Sequence, residues 1–429
     1  MPPMPDTRAS GRATGNAIYG QTMSEIAAAP ASGASEKTRD RIGFFFLNLG
    51  HLYDHMFMLI FATVVVALVG MDGMSYGELL KLATPAFVLF GLGSLPAGWL
   101  ADRWSRQGMI TVFFIGIGAA SILTGFAESS WQIALGLGAI GLFASIYHPV
   151  GIAMVVDGRE KVGKALGING VWGNMGVAAA PLVAGYLVQT ADWRTAFIVP
   201  GIVAVLTGLA YIVFCRDSAR RPKTAKPQVA DPHDSDLTKA VLLRVAFALT
   251  LTILFGGIVF HSVAIALPKL YAERLASLTT DLANIGVIVA LIVGIASFAQ
   301  IVVGHLVDRF PARRILFLIA LLQVPALAGV AVLFDLPAIF VGFAALLLIL
   351  GEVPIHDTIV TRHTRAAWRG RVFAVKFVIA LLVAAAVPSL VGGVHEAFGF
   401  DALFYILAAA AGGVALSALI LPKARKIAR

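Results

Sequence analysis

Three titratable side chains lie close together in the first long apolar segment of this chain, LNLGHLYDHMFML at residues 47–59. Spacings of three and four residues place His51, Asp54 and His55 on one face of a helix, with Asn48 one turn earlier. An ionisable residue inside a bilayer costs about 2.5–3.5 kcal/mol on insertion scales and almost always faces a bundle interior or a wet cavity. Helix packing alone does not require three such groups. The segment therefore predicts a site that handles protons or a substrate.

The composition identifies an integral membrane protein. Of the 429 residues, 59% are hydrophobic and only 13% are charged, whereas soluble domains carry about 25% charged residues. The net charge of +9 does not predict nucleic-acid binding, because the basic residues form short clusters between apolar segments. Cys215 is the only cysteine, so the sequence predicts no disulfide framework, no cysteine-based metal site and no cofactor.

Twelve segments are long and apolar enough to cross a bilayer, which takes about 20 mostly apolar residues. The predicted spans are 42–69, 77–101, 108–127, 131–155, 165–190, 195–215, 240–266, 283–307, 314–334, 337–360, 371–394 and 401–421. The fold class predicted is an all-α polytopic membrane protein with twelve transmembrane helices. Its predicted parts are a disordered cytoplasmic tail at 1–41, a six-helix bundle at 42–215, a polar cytoplasmic linker at 216–239, a second six-helix bundle at 240–421 and a basic cytoplasmic tail at 422–429.

The basic residues predict the orientation of the chain. If the N-terminus is cytoplasmic, nearly all of the 33 Lys and Arg residues fall on the cytoplasmic side. The opposite side keeps only Lys81, Arg194, Lys269 and Arg274. This asymmetry follows the positive-inside rule and places both termini in the cytoplasm.

The two predicted bundles share internal repeats. Three pairs of matching residues recur at an offset of 206 or 207 positions: Gly98 with Gly304, Gly163 with Gly370, and His55 with His261. One such match arises easily by chance, but three at nearly one offset do not. The sequence therefore predicts two pseudo-symmetric halves in the same orientation.

The first repeat resembles the loop signature of the major facilitator superfamily of secondary transporters, Gly-x-Leu-Ala-Asp-Arg-x-Gly-Arg-Arg/Lys. The matching residues are Gly98, Leu100, Ala101, Asp102, Arg103 and Arg106, while Ser105 and Gln107 depart from it. A looser second copy consists of Gly304, Asp308, Arg309, Arg313 and Arg314. In the family this loop is a conformational switch. The resemblance, which covers residues 42–421, implies that role here for Gly98, Asp102, Arg103, Arg106, Gly304, Asp308 and Arg309.

Two further resemblances imply export. The fifth span is similar to the antiporter helix of the family's drug exporters at Gly167, Gly176, Pro181 and Gly185, with alanine replacing two other glycines of that motif. The first-span cluster and IYHPVG at 146–151 resemble the fosmidomycin-resistance-type branch. These resemblances imply a bacterial drug:proton antiporter of the inner membrane that works as a monomer.

In this family spans 1, 4, 7 and 10 line a central cavity, and the polar residues of this chain concentrate on those spans. The residues predicted to couple protons are Asp54, His55, His148, His261 and Glu352. The residues predicted to contact a small-molecule substrate are Asn48, His51, Tyr147, Asn169, Trp172, Asn174, Gln300, His356 and Asp357. His356 and Asp357 equally fit a cytoplasmic gate together with Thr361, Arg362 and His363.

Other functions use the same residues. His51, Asp54 and His55 have the types and spacing of a transition-metal site, which His148, His261 or Glu352 would complete. A metal or organic-anion transporter is therefore an alternative, although the cavity offers no cysteine. A membrane sensor that binds without transporting is another. An enzyme is not predicted, because no nucleophile elbow or phosphate-binding loop is present.

Overall fold

A computed structural model of the chain describes residues 33–157, 159, 162–216, 239–363 and 366–422. Most of the predicted N-terminal tail, the linker and the basic C-terminal tail lie outside these residues, as do the side chains of Thr361, Arg362 and His363.

The described residues form α-helices throughout, with one 3₁₀ turn and one π-helical turn. The helices are α1 (Gly33–Leu68), α2 (Tyr76–Lys81), α3 (Thr84–Arg103), α4 (Arg106–Gly125), α5 (Ser130–Ala144), α6 (Ile152–Val156), α7 (Val162–Thr190), α8 (Thr195–Arg216), α9 (Lys239–Arg274), α10 (Leu282–Ala296), α11 (Ala299–Arg309), α12 (Ala312–Val332), α13 (Asp335–His363) and α14 (Ala366–Ile420). The 3₁₀ turn is Met71–Gly73, and the π-helical turn, Tyr147–Gly151, joins α5 to α6.

Eleven helical segments of the described chain are long and apolar enough to cross a membrane. Each of the first ten corresponds to one predicted span. The eleventh, Ile379–Ile420, is 42 residues long and covers most of the last two predicted spans. It is interrupted at Gly399, whose φ of 76° lies in the left-handed region that favours glycine. The prediction of an all-helical, membrane-spanning protein is confirmed.

The chain divides into a short unit, residues 1–45, and a large one, residues 46–429. The described part of the short unit is the beginning of α1, where Ile42 and Phe45 are exposed. Within the large unit, α4 packs on α8, while α14 packs on α9 and α12. Contacts of α3 with α14 and of α7 with α10 join the helices before the linker to those after it.

Close contacts between these two sets of helices lie at one end of the large unit. There α7 meets α10 so closely that a Cβ added to Gly185 would lie 2.5 Å from the Leu282 carbonyl oxygen. On the other side of the same end, a Cβ on Gly392 would lie 2.8 Å from the Gly77 Cα. Glycine permits such backbone contact because it has no side chain. We call this end, which carries residues 69–75 and 275–281, the closed end.

Candidate functional site

Three histidines from two helical elements meet near the middle of α1. His51 and His55 lie one turn apart on α1, and their Nε2 atoms are 3.2 Å apart. His148, from the π-helical turn, presents its ring edge-on, with its centroid 5.4 Å from that of His51 and 5.7 Å from that of His55. We call His51, His55 and His148 the histidine cluster. The spacing of α1 brings two of these residues together, and only the tertiary fold adds the third.

A hydrogen-bonded network holds one side of the cluster. Tyr147 is fully buried, stacks on the His51 ring at 5.0 Å and donates a hydrogen bond to the Leu47 carbonyl oxygen. Asn169 on α7 donates to the Tyr147 hydroxyl and to the Asn48 side chain. The backbone carbonyl of Asn169 accepts a 2.7 Å hydrogen bond from Nδ1 of His51. Buried polar groups in such a satisfied network have defined orientations, so the His51 ring is held in place.

Close approach of α7 to α1 makes this network possible. A Cβ added to Gly173 would lie 2.7 Å from the His51 ring, so no larger residue fits there without moving that ring. Gly176, one turn later, packs against the backbone carbonyl of Leu52. Gly176, which belongs to the predicted small-residue face of the fifth span, therefore contacts α1 directly at the site.

Asp54 is fully buried and faces His148. Its Oδ2 lies 3.2 Å from His148 Nε2, an ion-pair distance, and its Oδ1 has no hydrogen-bond partner among the described residues. A carboxylate removed from water costs several kcal/mol unless a partner compensates for its charge. His148 is the partner that the described residues place within ion-pair distance of this carboxylate. The structure places Asp54 beside His148, whereas His55 faces His51.

A second buried acidic site lies on α13. The Glu352 side chain is 6% exposed, and its Oε2 accepts a 2.8 Å hydrogen bond from the Gln323 amide of α12. Its Oε1 lies 3.3 Å from His356 Nε2, one turn along α13. Gly256 of α9 covers this oxygen, because a Cβ there would lie 2.7 Å from it. We call Glu352, Gln323 and His356 the glutamate site.

Asp357 belongs to neither site. It forms an ion pair with Lys376 of α14, whereas its neighbour His356 faces Glu352. The structure therefore separates two residues that the sequence grouped, both as substrate contacts and as gate residues. This ion pair joins α13 to α14, and each charge already has a partner of opposite sign.

The other predicted residues lie at different distances from the two sites. His261 on α9 is half-buried and packs beside Phe260, with the two ring centroids 5.1 Å apart. The Gln300 amide oxygen lies 3.7 Å from a Cβ built on Gly170, so it faces α7 from α11. Trp172 is half-buried, and Asn174 is buried with its Nδ2 lacking a hydrogen-bond partner among the described residues.

An apolar cavity lies between the histidine cluster and the closed end. Its lining includes Leu59 and Thr63 of α1, Val177 of α7 and Phe260 of α9. Residues of α10 and α13, among them Val289 and Leu346, complete the wall. Leu59 lies one turn beyond His55, so the apolar lining of this cavity begins next to the cluster. Its volume of about 20 Å³ is close to that of a single water molecule.

Residues 44–353 match the family model described as Major Facilitator Superfamily. The chain belongs to the major facilitator superfamily. It is therefore a membrane transporter rather than an enzyme, and the resemblance of its loop signatures to this family is confirmed.

The chain shares low sequence identity with individual members of the superfamily. The chain is 27% identical to the multidrug resistance protein MdtG of Dickeya zeae over 334 residues, which cover 75% of this chain and 79% of that protein. It is 35% identical over 126 residues to a probable sulfoacetate transporter, SauU, of Cupriavidus necator, covering 28% and 29% of the two chains. Among solved structures, a bacterial homologue of the lysosomal transporter Spinster superposes with a TM-score of 0.69 at 16% identity, covering 90% of this chain and 95% of the other.

The two copies of the superfamily's loop signature differ in their surroundings. Arg106 at the start of α4 donates a 3.1 Å hydrogen bond to Asp102 near the end of α3 across the exposed loop between the two helices, and Arg103 lies over the Trp99 ring. Gly98 packs against Pro149 of the π-helical turn, whereas a Cβ on Gly304 would meet nothing within 4 Å. Since an exposed ion pair contributes about 0–1 kcal/mol, the Asp102–Arg106 pair is weak enough to break and form during a conformational change. Asp308 and Arg309 end α11 in the second copy.

The glycines of the antiporter-like helix contact different partners. Gly176 packs on α1, Gly185 packs on α10 at the closed end, and Pro181 lies there with its carbonyl against Gly286. A Cβ on Gly167 would meet nothing within 4 Å. The small residues of α7 therefore permit close packing at two separate places on this helix.

Sequence reasoning missed Gln323, which pairs with Glu352 in the glutamate site, and Lys376, which pairs with Asp357 outside it. Gln323 is 1% exposed and is the one amide within the apolar run ILFLIALLQVPALAGVAV of α12. A lone polar residue inside a membrane segment usually has a buried partner, so that signal was present. The family resemblance implies no cavity role for span 9, so it does not predict one for Gln323.

Proposed function

We propose that this chain is a proton-coupled secondary active transporter that exports a small organic molecule by alternating access. Membership of the superfamily supports secondary transport. The MdtG relative is named a multidrug resistance protein, and this similarity supports export of a small organic molecule. Apolar side chains such as Leu59 lie next to the polar histidine cluster, and this combination supports an amphiphilic substrate with an apolar or aromatic part.

The observation that carries the proton-coupling part is the glutamate site. Glu352 lies within a membrane-spanning helix and is almost fully buried. Among the described residues, its polar partners are the Gln323 amide and the His356 imidazole. An intramembrane carboxylate of this kind typically belongs to an ion pathway or proton relay. Protonation changes its charge and so changes the relative stability of the two orientations of the transporter.

In the proposed architecture, twelve spans form two six-helix bundles, 42–215 and 240–421, and Gly399 separates spans eleven and twelve. Both termini face the cytoplasm of a bacterial cell, the protein works as a monomer in the inner membrane, and the closed end faces outward. The signature loops then lie on the cytoplasmic side. This orientation rests on the distribution of Lys and Arg described above.

In the proposed cycle, a proton enters from outside and neutralises Glu352, which favours the cytoplasm-facing orientation. A substrate then enters from the cytoplasm and displaces the proton. Coupling follows because the proton and the substrate each bind one orientation better than the other. Proton transfer through Asp54, His55, His148 and His261 remains a prediction from the sequence.

The test is transport by the purified protein in liposomes with an imposed pH gradient. The two probes are ethidium, an amphiphilic aromatic cation, and fosmidomycin, a phosphonate anion. We expect one of them to move against its gradient, with proton movement in the opposite direction reported by a pH-sensitive dye. Transport of neither probe, or transport that continues unchanged after a proton ionophore collapses the gradient, would contradict the proposal.

Asp54→Asn tests the predicted role of the first-span carboxylate. The substitution keeps the shape and removes the charge, so we expect proton flux coupled to substrate to fall by roughly tenfold or more. Asp281→Asn is the matched control, because Asp281 is exposed just before α10 and asparagine is an equally good residue at a helix start. Normal coupling in Asp54→Asn would remove Asp54 from the proton pathway.

A second prediction concerns the closed end. Glu396 of α14 accepts hydrogen bonds from the Ser75 hydroxyl and the Gly77 amide at the start of α2. Glu396→Gln removes the charge from these hydrogen bonds, so we expect the closed end to open more often. With Cys215→Ser and a reporter Thr63→Cys in the cavity, labelling by a membrane-impermeant maleimide should speed up several-fold. An unchanged labelling rate would show that this contact does not hold the end closed.

A further inference from the structure

The nitrogen atoms of the histidine cluster lie at distances that suit a metal ion. One ring nitrogen from each of His51, His55 and His148 lies within 4.8 Å of the other two. Zinc binds imidazole nitrogen at about 2.0–2.1 Å in tetrahedral geometry, which separates two ligand nitrogens by about 3.4 Å. The two Nε2 atoms on α1 are 3.2 Å apart, close to that spacing. The His148 nitrogen, which lies within 4.8 Å of both, would approach them further on binding to reach tetrahedral spacing.

Two of the three histidines already have the outer partners that metal-binding histidines use. Nδ1 of His51 donates to the Asn169 carbonyl oxygen at 2.7 Å, which leaves Nε2 of the same ring with its lone pair directed at His55. Nε2 of His148 lies 3.2 Å from the Asp54 carboxylate. A carbonyl or carboxylate on the second ring nitrogen orients the imidazole and makes it a better ligand.

We propose that His51, His55 and His148 form a three-imidazole site for a divalent transition-metal ion of the zinc class. Asp54 and the Asn169 carbonyl are its outer partners. Imidazole ligands suit zinc, copper and nickel, whereas magnesium and calcium prefer oxygen ligands. The site differs from the ligand set suggested by sequence spacing, because the tertiary fold replaces Asp54 with His148 as a ligand. This site does not depend on the direction or coupling of transport.

The position of the site leaves room for a fourth ligand. The His148 side chain is 21% exposed, so this side of the cluster is accessible from the space between the helices. The opposite side is closed by Tyr147, which stacks on His51, and by Gly173. Water or a substrate atom would occupy the open position, as in zinc sites with three protein ligands.

The test uses the full-length protein in detergent, purified with a tag that contains no histidine. Cobalt(II) is the probe, because its visible absorption distinguishes tetrahedral from octahedral coordination, and zinc competes for the same site. We expect one cobalt ion per chain with a tetrahedral spectrum, and displacement by an equivalent of zinc. No binding, several weak ions per chain, or an octahedral spectrum would overturn the proposal.

Variants show whether the bound ion occupies the cluster. His51→Ala and His148→Asn should each abolish the tetrahedral spectrum, and Asp54→Asn should weaken binding by about 10–100-fold without abolishing it. His305→Asn is the control, since His305 is exposed on α11, away from the cluster. This variant should bind cobalt as the unmodified protein does. Unchanged binding in His51→Ala would also overturn the proposal. If a variant does not fold, as judged by thermal unfolding, His55→Asn replaces it.

Discussion

Glu352→Gln is expected to abolish the proton movement that accompanies substrate transport, while the protein still folds and inserts. Glutamine has nearly the same shape and can still accept a hydrogen bond from Gln323, so the packing around α12 and α13 is kept. What is lost is the group that changes charge. Without it the proton no longer favours one orientation, and a ligand with equal affinity for both states shifts nothing.

The measurement is substrate-driven proton uptake in liposomes, compared with substrate exchange in the absence of a pH gradient. We expect proton uptake to fall to background, whereas substrate exchange stays within about threefold of that of the unmodified protein. Glu128→Gln provides the control, because Glu128 is exposed in a loop at the closed end. Full coupling in Glu352→Gln would remove the glutamate site from the proton pathway and would leave the histidine cluster as the remaining candidate.

Gly185→Val is expected to prevent the closed end from closing. A Cβ at this position would lie 2.5 Å from the Leu282 carbonyl oxygen, which belongs to the backbone of α10 and cannot rotate away. The two helices must therefore separate, at a typical overpacking cost of about 1–3 kcal/mol. A transporter that cannot close one end cannot complete its cycle, so transport should stop.

Accessibility at the closed end provides the readout. The reporter Thr63→Cys, in a background that carries Cys215→Ser, lies in the apolar cavity behind this end. A membrane-impermeant maleimide added outside should label it much faster in Gly185→Val than in the parent. Gly393→Val is the control at the same end, because a Cβ there would meet nothing within 4 Å. Equal labelling of both variants would show that contact between α7 and α10 is not what closes this end.

The general fold was predictable because a bilayer leaves few choices. Backbone groups in lipid must be hydrogen-bonded within each segment, so long apolar stretches have to be helices. The first ten predicted spans each match a helical segment, and the signature loops end α3 and α11 as the repeat implied. The last two spans are less distinct, because helical structure extends on both sides of Gly399 with only that residue interrupting it.

The candidate residues were predictable as well, but their pairing was not. A period of 3.6 residues places His51, Asp54 and His55 on one face of α1, and this could be inferred from spacing alone. Which histidine faces Asp54 depends on the π-helical turn, which sets the direction of His148. A wider turn around Pro149 changes the angle of every side chain within it, and periodicity does not contain that angle.

The partners of Glu352 show the same division. The sequence by itself determined that a carboxylate would lie inside the thirteenth helix, because an apolar segment must be a helix wherever its polar residues fall. Only the tertiary structure decided that Gln323 of α12 would donate a hydrogen bond to Glu352 and that Asp357 would form an ion pair with Lys376. These choices depend on how two neighbouring helices are rotated and how closely they pack. That information lies in the contacts between segments, which the pattern within one segment does not specify.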